Sequence, residues 1–393
     1  MAGVVSFFTD VSTEMIVPVL PLFLSATLKS PVLAIGLIEG IAESTGSVLR
    51  IFAGQLSDRT GRRKPLVVVG YALSNITKPL LALAGSWGHV LAIRFVDRVG
   101  KGIRTAPRDA LIADSVPPDR RGIAFGFHRA MDTAGAALGP LVAFATLAVL
   151  PENYRAVFWI AAIPGLIAIT IGAIFLRDRG GRPATPADAP TPRLRALGPR
   201  FMAFTIIATL FALGNSSDAF LILRARNVGT AAAVIPLMYF TFNVVYAVLS
   251  TPAGALSDRI GRRTVLAIGY AIFALVYVGF GLIAGARAPW AVLALFIVYG
   301  AYYALTDGVQ KAFVADLVPA HLRATAMGTF SMATGIALLP ASLVAGALWD
   351  RVSPAAPFFY GAALAGASLL LLLGGRGILR TTAAQPGSEE SYR

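Results

Sequence analysis

Six charged residues, Arg94, Asp97, Arg98, Lys101, Arg104 and Arg108, recur at intervals of three and four. That spacing lays them along one face of a helix. Asp10 and Glu14 stand four apart, Glu39 and Glu43 repeat the interval, and Arg50 follows two turns later. All of them fall inside long apolar segments. An ionisable side chain at the centre of a bilayer costs roughly 3 kcal/mol unless it is paired or wetted, so each is a functional candidate by default. A buried carboxyl beside cations can bind and release a proton near neutral pH. Asp10 and Glu14, then Glu39, Glu43 and Asp97, are therefore the candidates for proton coupling. His128, Arg129 and Asp132 form a further cluster that either relays protons or simply pairs. The competing reading is a salt-bridge network, with eight bases against seven acids within the first six apolar segments. So much buried charge is a poor route to stability, which favours a functional cavity for the set as a whole.

The elements that must position these residues are membrane helices. The chain has 393 residues, 56% hydrophobic and only 14% charged, against roughly 25% charged in soluble domains. Apolar runs such as Leu66–Leu83, Ala156–Leu176 and Ala291–Leu305 recur along it, and about 20 such residues span a bilayer. Its 39 Gly and 24 Pro suit membrane helices, where small residues allow close approach. The net charge of +14 is accounted for by basic residues on one side of a membrane, and no polar domain is present to hold nucleic acid. Without Cys there is no disulfide or thiolate metal site, and the three His are far apart. No nucleophile–His–acid set and no nucleotide-binding motif are recognisable, so neither an enzyme nor an ATP-driven pump is expected. No cofactor is implied, and a proton gradient is the expected driver. The apolar N-terminal stretch has no basic leader and is interrupted by Asp10 and Glu14, so it is not a cleavable signal. It begins almost inside the first span, and the natural start is expected upstream of Met1.

Twelve spans are expected, at 3–24, 32–56, 65–84, 88–112, 122–149, 154–176, 201–223, 231–255, 264–285, 289–314, 323–347 and 355–375. They form an all-α integral membrane fold of two six-helix bundles, 1–176 and 201–376. A Pro- and charge-rich cytoplasmic linker, 177–200, joins them, and a disordered cytoplasmic tail covers 377–393. With both termini inside the cell, cytoplasmic segments hold 19 Lys and Arg against 6 outside, which sets the orientation.

The two bundles are copies. Gly54–Arg63 (GQLSDRTGRR) returns as Gly254–Arg263 (GALSDRIGRR), matching at eight of ten positions. Val69–Ala72 matches Ile268–Ala271, and Asp114, Val116, Pro117 and Arg121 match Asp316, Val318, Pro319 and Arg323. Matched places in one order mean duplication. The segment Gly54–Lys64, lying between the second and third spans, resembles the signature loop of the major facilitator superfamily, and the reduced copy lies between the eighth and ninth. The resemblance covers essentially the whole chain and includes a poorly characterised bacterial and archaeal group. It implies a cytoplasmic gate in which Asp58 and Arg59 belong to an ionic latch between the bundles, with Asp114, Asp119 and Arg121 as partners. Gly54 lets helices touch, Gly61 permits the turn, and Arg62, Arg63 and Lys64 anchor at the anionic leaflet. Asp258 and Arg259 repeat the gate in the second bundle. On the fifth span Gly126, Gly135, Gly139 and Pro140 resemble the motif of proton-coupled drug exporters, although Ala143-Phe144 stand where that pattern has a further glycine pair. On the fourth span Arg94 fits the family motif, while Asp97 and Arg98 replace its usual Gln and Gly.

In that superfamily spans 1, 4, 7 and 10 line the central cavity. The resemblance thus makes Arg50, Arg94, Arg98 and Lys101 a basic wall. The second bundle keeps only Asp218, Asp307 and Lys311 as charges inside its spans, with Arg323 at the edge of one. Where the first has Glu39, Glu43 and Arg50, the second has Tyr239, Asn243 and Ser250. Asn215, Asp218, Tyr239, Asn243, Tyr302 and Asp307 make the opposing wall, aromatic and nearly uncharged. A charged half facing an aromatic half suits an amphipathic or anionic small molecule. The expectation is a monomeric inner-membrane transporter working by alternating access, with proton-coupled efflux. The alternatives are uptake or exchange of an organic anion on Arg50, Arg94 and Arg98, and a membrane receptor that transports nothing.

Overall fold

The computed structural model describes residues 1–60, 63–117, 120–176, 197–283, 289–319 and 322–375. For Ile51, Gly54, Gln55, Asp58, Arg59, Thr60, Arg121, Gly122 and Ala324 it describes the backbone alone. The linker residues 177–196 and the tail from 376 lie outside the described residues. The rest is helical, and no strand occurs among the described residues.

Twelve helices follow one another: α1 (Ala2–Thr27), α2 (Val32–Thr60), α3 (Arg63–Leu83), α4 (Trp87–Asp114), α5 (Arg121–Val149), α6 (Tyr154–Phe175), α7 (Gly198–Asn227), α8 (Val234–Ile260), α9 (Arg262–Leu282), α10 (Pro289–Asp316), α11 (Arg323–Arg351) and α12 (Ala356–Gly374). Among the described residues eleven are long and apolar enough to cross a membrane. The remaining one, α4, has the length at 28 residues but carries the charged stripe. Several helices overrun the expected spans, α2 to Thr60 and α8 to Ile260 for example. Their polar ends leave the hydrocarbon, where water can satisfy both side chains and backbone, so helix persists after hydropathy ends. Between α8 and α9 the turn is made by Gly261 at φ 93°, a conformation a side chain disfavours. Its first-half equivalent, Gly61, lies outside the described residues.

Three helices are irregular where chemistry is concentrated. α1 is regular to Ile16, breaks over 17–19 beside Pro18 and Pro21, and finishes in a π-turn over Phe23–Thr27. α3 tightens into a 3-10 stretch over Lys78–Leu83, where Pro79 cannot donate a backbone hydrogen bond. α7 is interrupted over Asn215–Asp218 between segments Gly198–Gly214 and Ala219–Asn227.

In the first half α4 packs on α2 and α3, and α1 on α5 and α6. In the second half α10 packs on α8 and α9, and α7 on α11 and α12. The halves meet along α2 with α11 and along α5 with α8. They are closed at the end where α1 turns into α2. There a β-carbon on Gly40 would lie 2.9 Å from the Leu339 Cα, and one on Gly36 would collide with the Ser342 carbonyl. Ser44 donates to the Gly335 carbonyl at 3.0 Å. The Val32 and Leu33 amides donate to the two carboxylate oxygens of Asp350, at 3.2 and 2.8 Å. Arg226 pairs with Glu152 across the same end at 2.6 Å.

Candidate functional site

Between the halves lies a cavity of about 260 Å³, lined by Glu14, Glu39, Glu43, Arg94, Arg98 and Lys101 from the first half and by Asn215, Asp218, Tyr239 and Tyr303 from the second. A further cavity of about 380 Å³ shares Asn215, Tyr303 and Leu338 with it. Its walls descend α2 through Ser47 and Arg50 and α10 through Thr306, Asp307 and Lys311. The central site thus opens towards the end where α2 turns into α3.

The helix-4 stripe divides. Arg94 is almost fully buried and holds both Glu39 oxygens at 3.0 Å and Asp97 at 3.3 Å. Arg98 pairs with Glu43 at 2.9 Å and reaches Asp97 at 4.0 Å. Asp97 lies between the two guanidiniums and lines a water-sized void beside Lys78 rather than the central cavity. Lys101 lines the cavity, and its ammonium makes no hydrogen bond or ion pair among the described residues. Arg104 turns away, donating to Ser74 Oγ at 2.6 Å and standing 4.5 Å from the Tyr71 ring centroid. Arg108 pairs with Asp109 at 2.8 Å. Two arginines of the expected basic wall, Arg94 and Arg98, therefore already have carboxylate partners, while Arg50 stands exposed in the lower cavity. The cause is geometric: Glu39 and Glu43 on α2 keep the same one-turn interval as Arg94 and Arg98 on α4, so the packed helices pair rung by rung.

The carboxylates of α1 differ from those of α2. Glu14 lines the cavity and forms no described hydrogen bond or ion pair. Asp10 lines none of the described cavities. The helix-5 glycines set the position of both. A β-carbon on Gly135 would lie 2.6 Å from the Phe7 carbonyl, and one on Gly139 would lie 2.7 Å from both Glu14 Cβ and the Val11 carbonyl. Gly126 makes no such approach. Pro140 lies inside the helix just beyond them. His128 and Asp132 pair at 3.1 Å, and Arg129 crosses to Tyr246 of α8 at 3.2 Å.

In the second half Asp218, at the break of α7, accepts from the Tyr299 hydroxyl at 2.8 Å. Asn215 donates to Tyr302 at 3.1 Å. Asp307 is taken by Lys311 and Tyr246, at 2.8 and 2.9 Å. Asn243 lines neither cavity, and its amide nitrogen is buried without a partner. The aromatic wall is mostly packing. Tyr299 and Tyr277 are fully buried, and Phe273 lies 4.0 Å from Tyr277 and 4.9 Å from Tyr302, centroid to centroid. Tyr239, Tyr302 and Tyr303 reach the cavities.

Of the expected gate, Gly61, Arg62 and Asp119 lie outside the described residues, as do the side chains of Asp58, Arg59 and Arg121. Arg63 pairs with Asp114 and donates to the Ala110 carbonyl at 2.7 Å. That contact ties α3 to α4 within the first half. The second copy does likewise: Arg262 bridges Asp258 at 2.5 Å and Asp316 at 3.3 Å, while Arg259 is exposed. Lys78 belongs to none of the motifs or candidate sites read from the sequence. Its buried ammonium donates to Thr13 Oγ1 and Asn75 Oδ1 at 2.8 Å and to the Thr9 carbonyl at 3.3 Å. It pins the irregular end of α3 to α1 through neutral acceptors.

Comparison with known proteins agrees with this architecture. The chain matches the Major Facilitator Superfamily over residues 2–224 and again over 201–391. It is 39% identical over 381 residues to an uncharacterised MFS-type transporter of Methanocaldococcus jannaschii, covering 95% of this chain and 93% of that one. It is 29% identical over 163 residues to the multidrug resistance protein MdtL of Escherichia coli O81, covering 41% of this chain and 40% of that one. The fold superimposes with a TM-score of 0.81 on a POT family transporter crystallised with a thioalcohol-conjugated peptide, at 13% identity and 96% coverage of both chains. A duplicated twelve-helix body with a cavity between its halves, matched along nearly its whole length, places this multi-pass membrane transporter in the Major Facilitator Superfamily.

Proposed function

We propose that the chain exports an amphipathic small molecule in exchange for protons, as a monomer in the inner membrane with both termini cytoplasmic. The excess of basic residues in the α2–α3, α4–α5 and α8–α9 connections supports a cytoplasmic position for the open end. On that orientation the cavity is loaded from the cytoplasm and sealed outside by α2 and α11. The likeness to MdtL, a protein named for multidrug resistance, supports efflux.

The observation that carries proton exchange is the isolation of Glu14. Glu39, Glu43 and Asp97 are held by arginines, so a proton arriving there would have to displace a guanidinium. Glu14 faces the same space with its carboxyl uncommitted. A proton and a substrate can then compete for one wetted place, which is what obligatory exchange requires. Asp10 stands one turn away on α1 and extends the acidic path towards the open end.

The test uses proteoliposomes with a trapped pH dye and a fluorescent aromatic amphiphile. The expected outcome is amphiphile movement driven by an imposed pH gradient and accompanied by counter-movement of protons. Glu14→Gln should abolish gradient-driven movement while leaving passive exchange of the amphiphile. A wild-type rate indifferent to the pH gradient would sink proton coupling. It would favour the second reading, organic-anion exchange, which the exposed Arg50 in the lower cavity supports.

A further inference from the structure

Charge accounting within the central cavity narrows the substrate. Two ion pairs, Arg94–Glu39 and Arg98–Glu43, neutralise four of its charged side chains. Three remain: Lys101 from α4, Glu14 from α1 and Asp218 from the break in α7. Asp218 has a phenol donor but no cation within ion-pair distance. Glu14 loses the exchanged proton as the ligand enters and joins Asp218 as an acceptor for a cationic group, while Lys101 is left outside the ion pairs as a donor to an anionic one, facing Asp218 from the opposite half.

We infer that the transported molecule is a zwitterion, its anionic group held by Lys101 and its cationic group by Asp218, with Tyr239 and Tyr303 against its apolar body. The inference rests on the transport reading and specifies its substrate class. Any ligand entering this cavity displaces water from both charges. A simple anion would satisfy Lys101 and strand Asp218 against an apolar tail; a simple cation would do the reverse. Either leaves a desolvated, unpaired charge, which is among the costlier errors in a binding site. A zwitterion pairs both. A tyrosine face is also a favourable surface for an ammonium group. A volume of about 260 Å³ is near the lower end for small-molecule sites and suits one ring with two short polar arms. Lys101 and Asp218 belong to different halves, so such a ligand bridges the bodies that must move against each other.

The experiment compares four probes of one skeleton on the purified full chain by calorimetry: L-phenylalanine, para-(aminoethyl)benzoate, phenylpropanoate and phenylethylamine. The first two are zwitterions with close and distant charges, the third an acid and the fourth an amine. At least one zwitterion is expected to bind roughly tenfold or more tighter than the acid and the amine, as one charge-assisted contact implies. In Lys101→Gln the amine should equal or overtake the zwitterion. In Asp218→Asn the acid should do so, and Lys101→Arg should keep the wild-type order. Size-exclusion profiles establish that the variants fold, and the wild-type ranking stands as a test without them. The proposal is overturned if the acid or the amine binds wild type best, if none of the four binds at millimolar concentration, or if the order is the same in both charge-removing variants. Binding is read without a gradient, so this ranking and the proton coupling can fail separately.

Discussion

Helices α4 and α10 run equivalent courses through the two halves yet are fixed by opposite means. α4 is tied to α2 by Arg94–Glu39 and Arg98–Glu43, with Asp97 shared between the arginines. α10 is tied to α8 and α9 by rings, Tyr299, Tyr302 and Tyr303 against Phe242, Phe273 and Tyr277. Where α2 places Glu39 and Glu43, α8 places Tyr239 and Asn243. One duplicated scaffold therefore accepts either glue, because each fills the same interhelical space. The two differ in what they leave over. A ring cluster is complete in itself, whereas a network of ion pairs can have a remainder, and here that remainder, Lys101 and Glu14, faces the cavity.

The comparison can be broken most severely at Arg98. Arg98→Met removes the cation that holds Glu43 at the cavity wall and borders the buried Asp97, and a loss of about 2–3 kcal/mol in unfolding free energy is expected. Equilibrium unfolding in mixed detergent measures it, and Arg98→Met with Glu43→Met should recover much of the loss. If the double variant is no better than the single one, the pair is not the glue. Ring packing in the second half should be more forgiving. Phe273→Leu is expected to cost about 1–2 kcal/mol, since leucine refills part of the volume, and to leave substrate binding intact. The smallest effect is sharper still: Tyr302→Phe removes the acceptor for Asn215 and should cost about 1 kcal/mol. An effect as large as that of Arg98→Met would mean that polar contacts rule the second half too.

Much of the fold was legible because hydropathy and duplication are local signals. Eleven apolar stretches, the charged fourth span between them and the Gly54–Arg63 repeat could be read without knowing which helices touch. The site was only half legible for the converse reason. The interval of three and four placed Arg94 to Arg108 on one face, but 3.6 residues per turn makes such a stripe drift. Its lower members, Arg104 and Arg108, turn to Ser74, Tyr71 and Asp109 instead of the cavity. Arg94 and Glu39 stand 55 positions apart, and no spacing rule connects residues on different helices. By its sequence alone Lys78 is one more charge in a span, because the Thr9 and Thr13 acceptors that hold it belong to a different helix. The polar run Asn215–Asp218 was the one local sign of the break in α7, and its significance lay in the backbone.

Asp350 gives the closed end a further property. The first turn of any helix has amide donors with no partner in its own backbone, and α2 finds the acceptor for Val32 and Leu33 on α11, more than 300 residues away. Its cap is thus lent by the other half of the molecule. If the halves part there during the cycle, the loan is withdrawn and the start of α2 should fray. The helical length of α2 would then vary with the conformation of the whole protein. Slow hydrogen exchange at the Val32 and Leu33 amides would report, from two backbone positions, the fraction of molecules closed at this end at any moment.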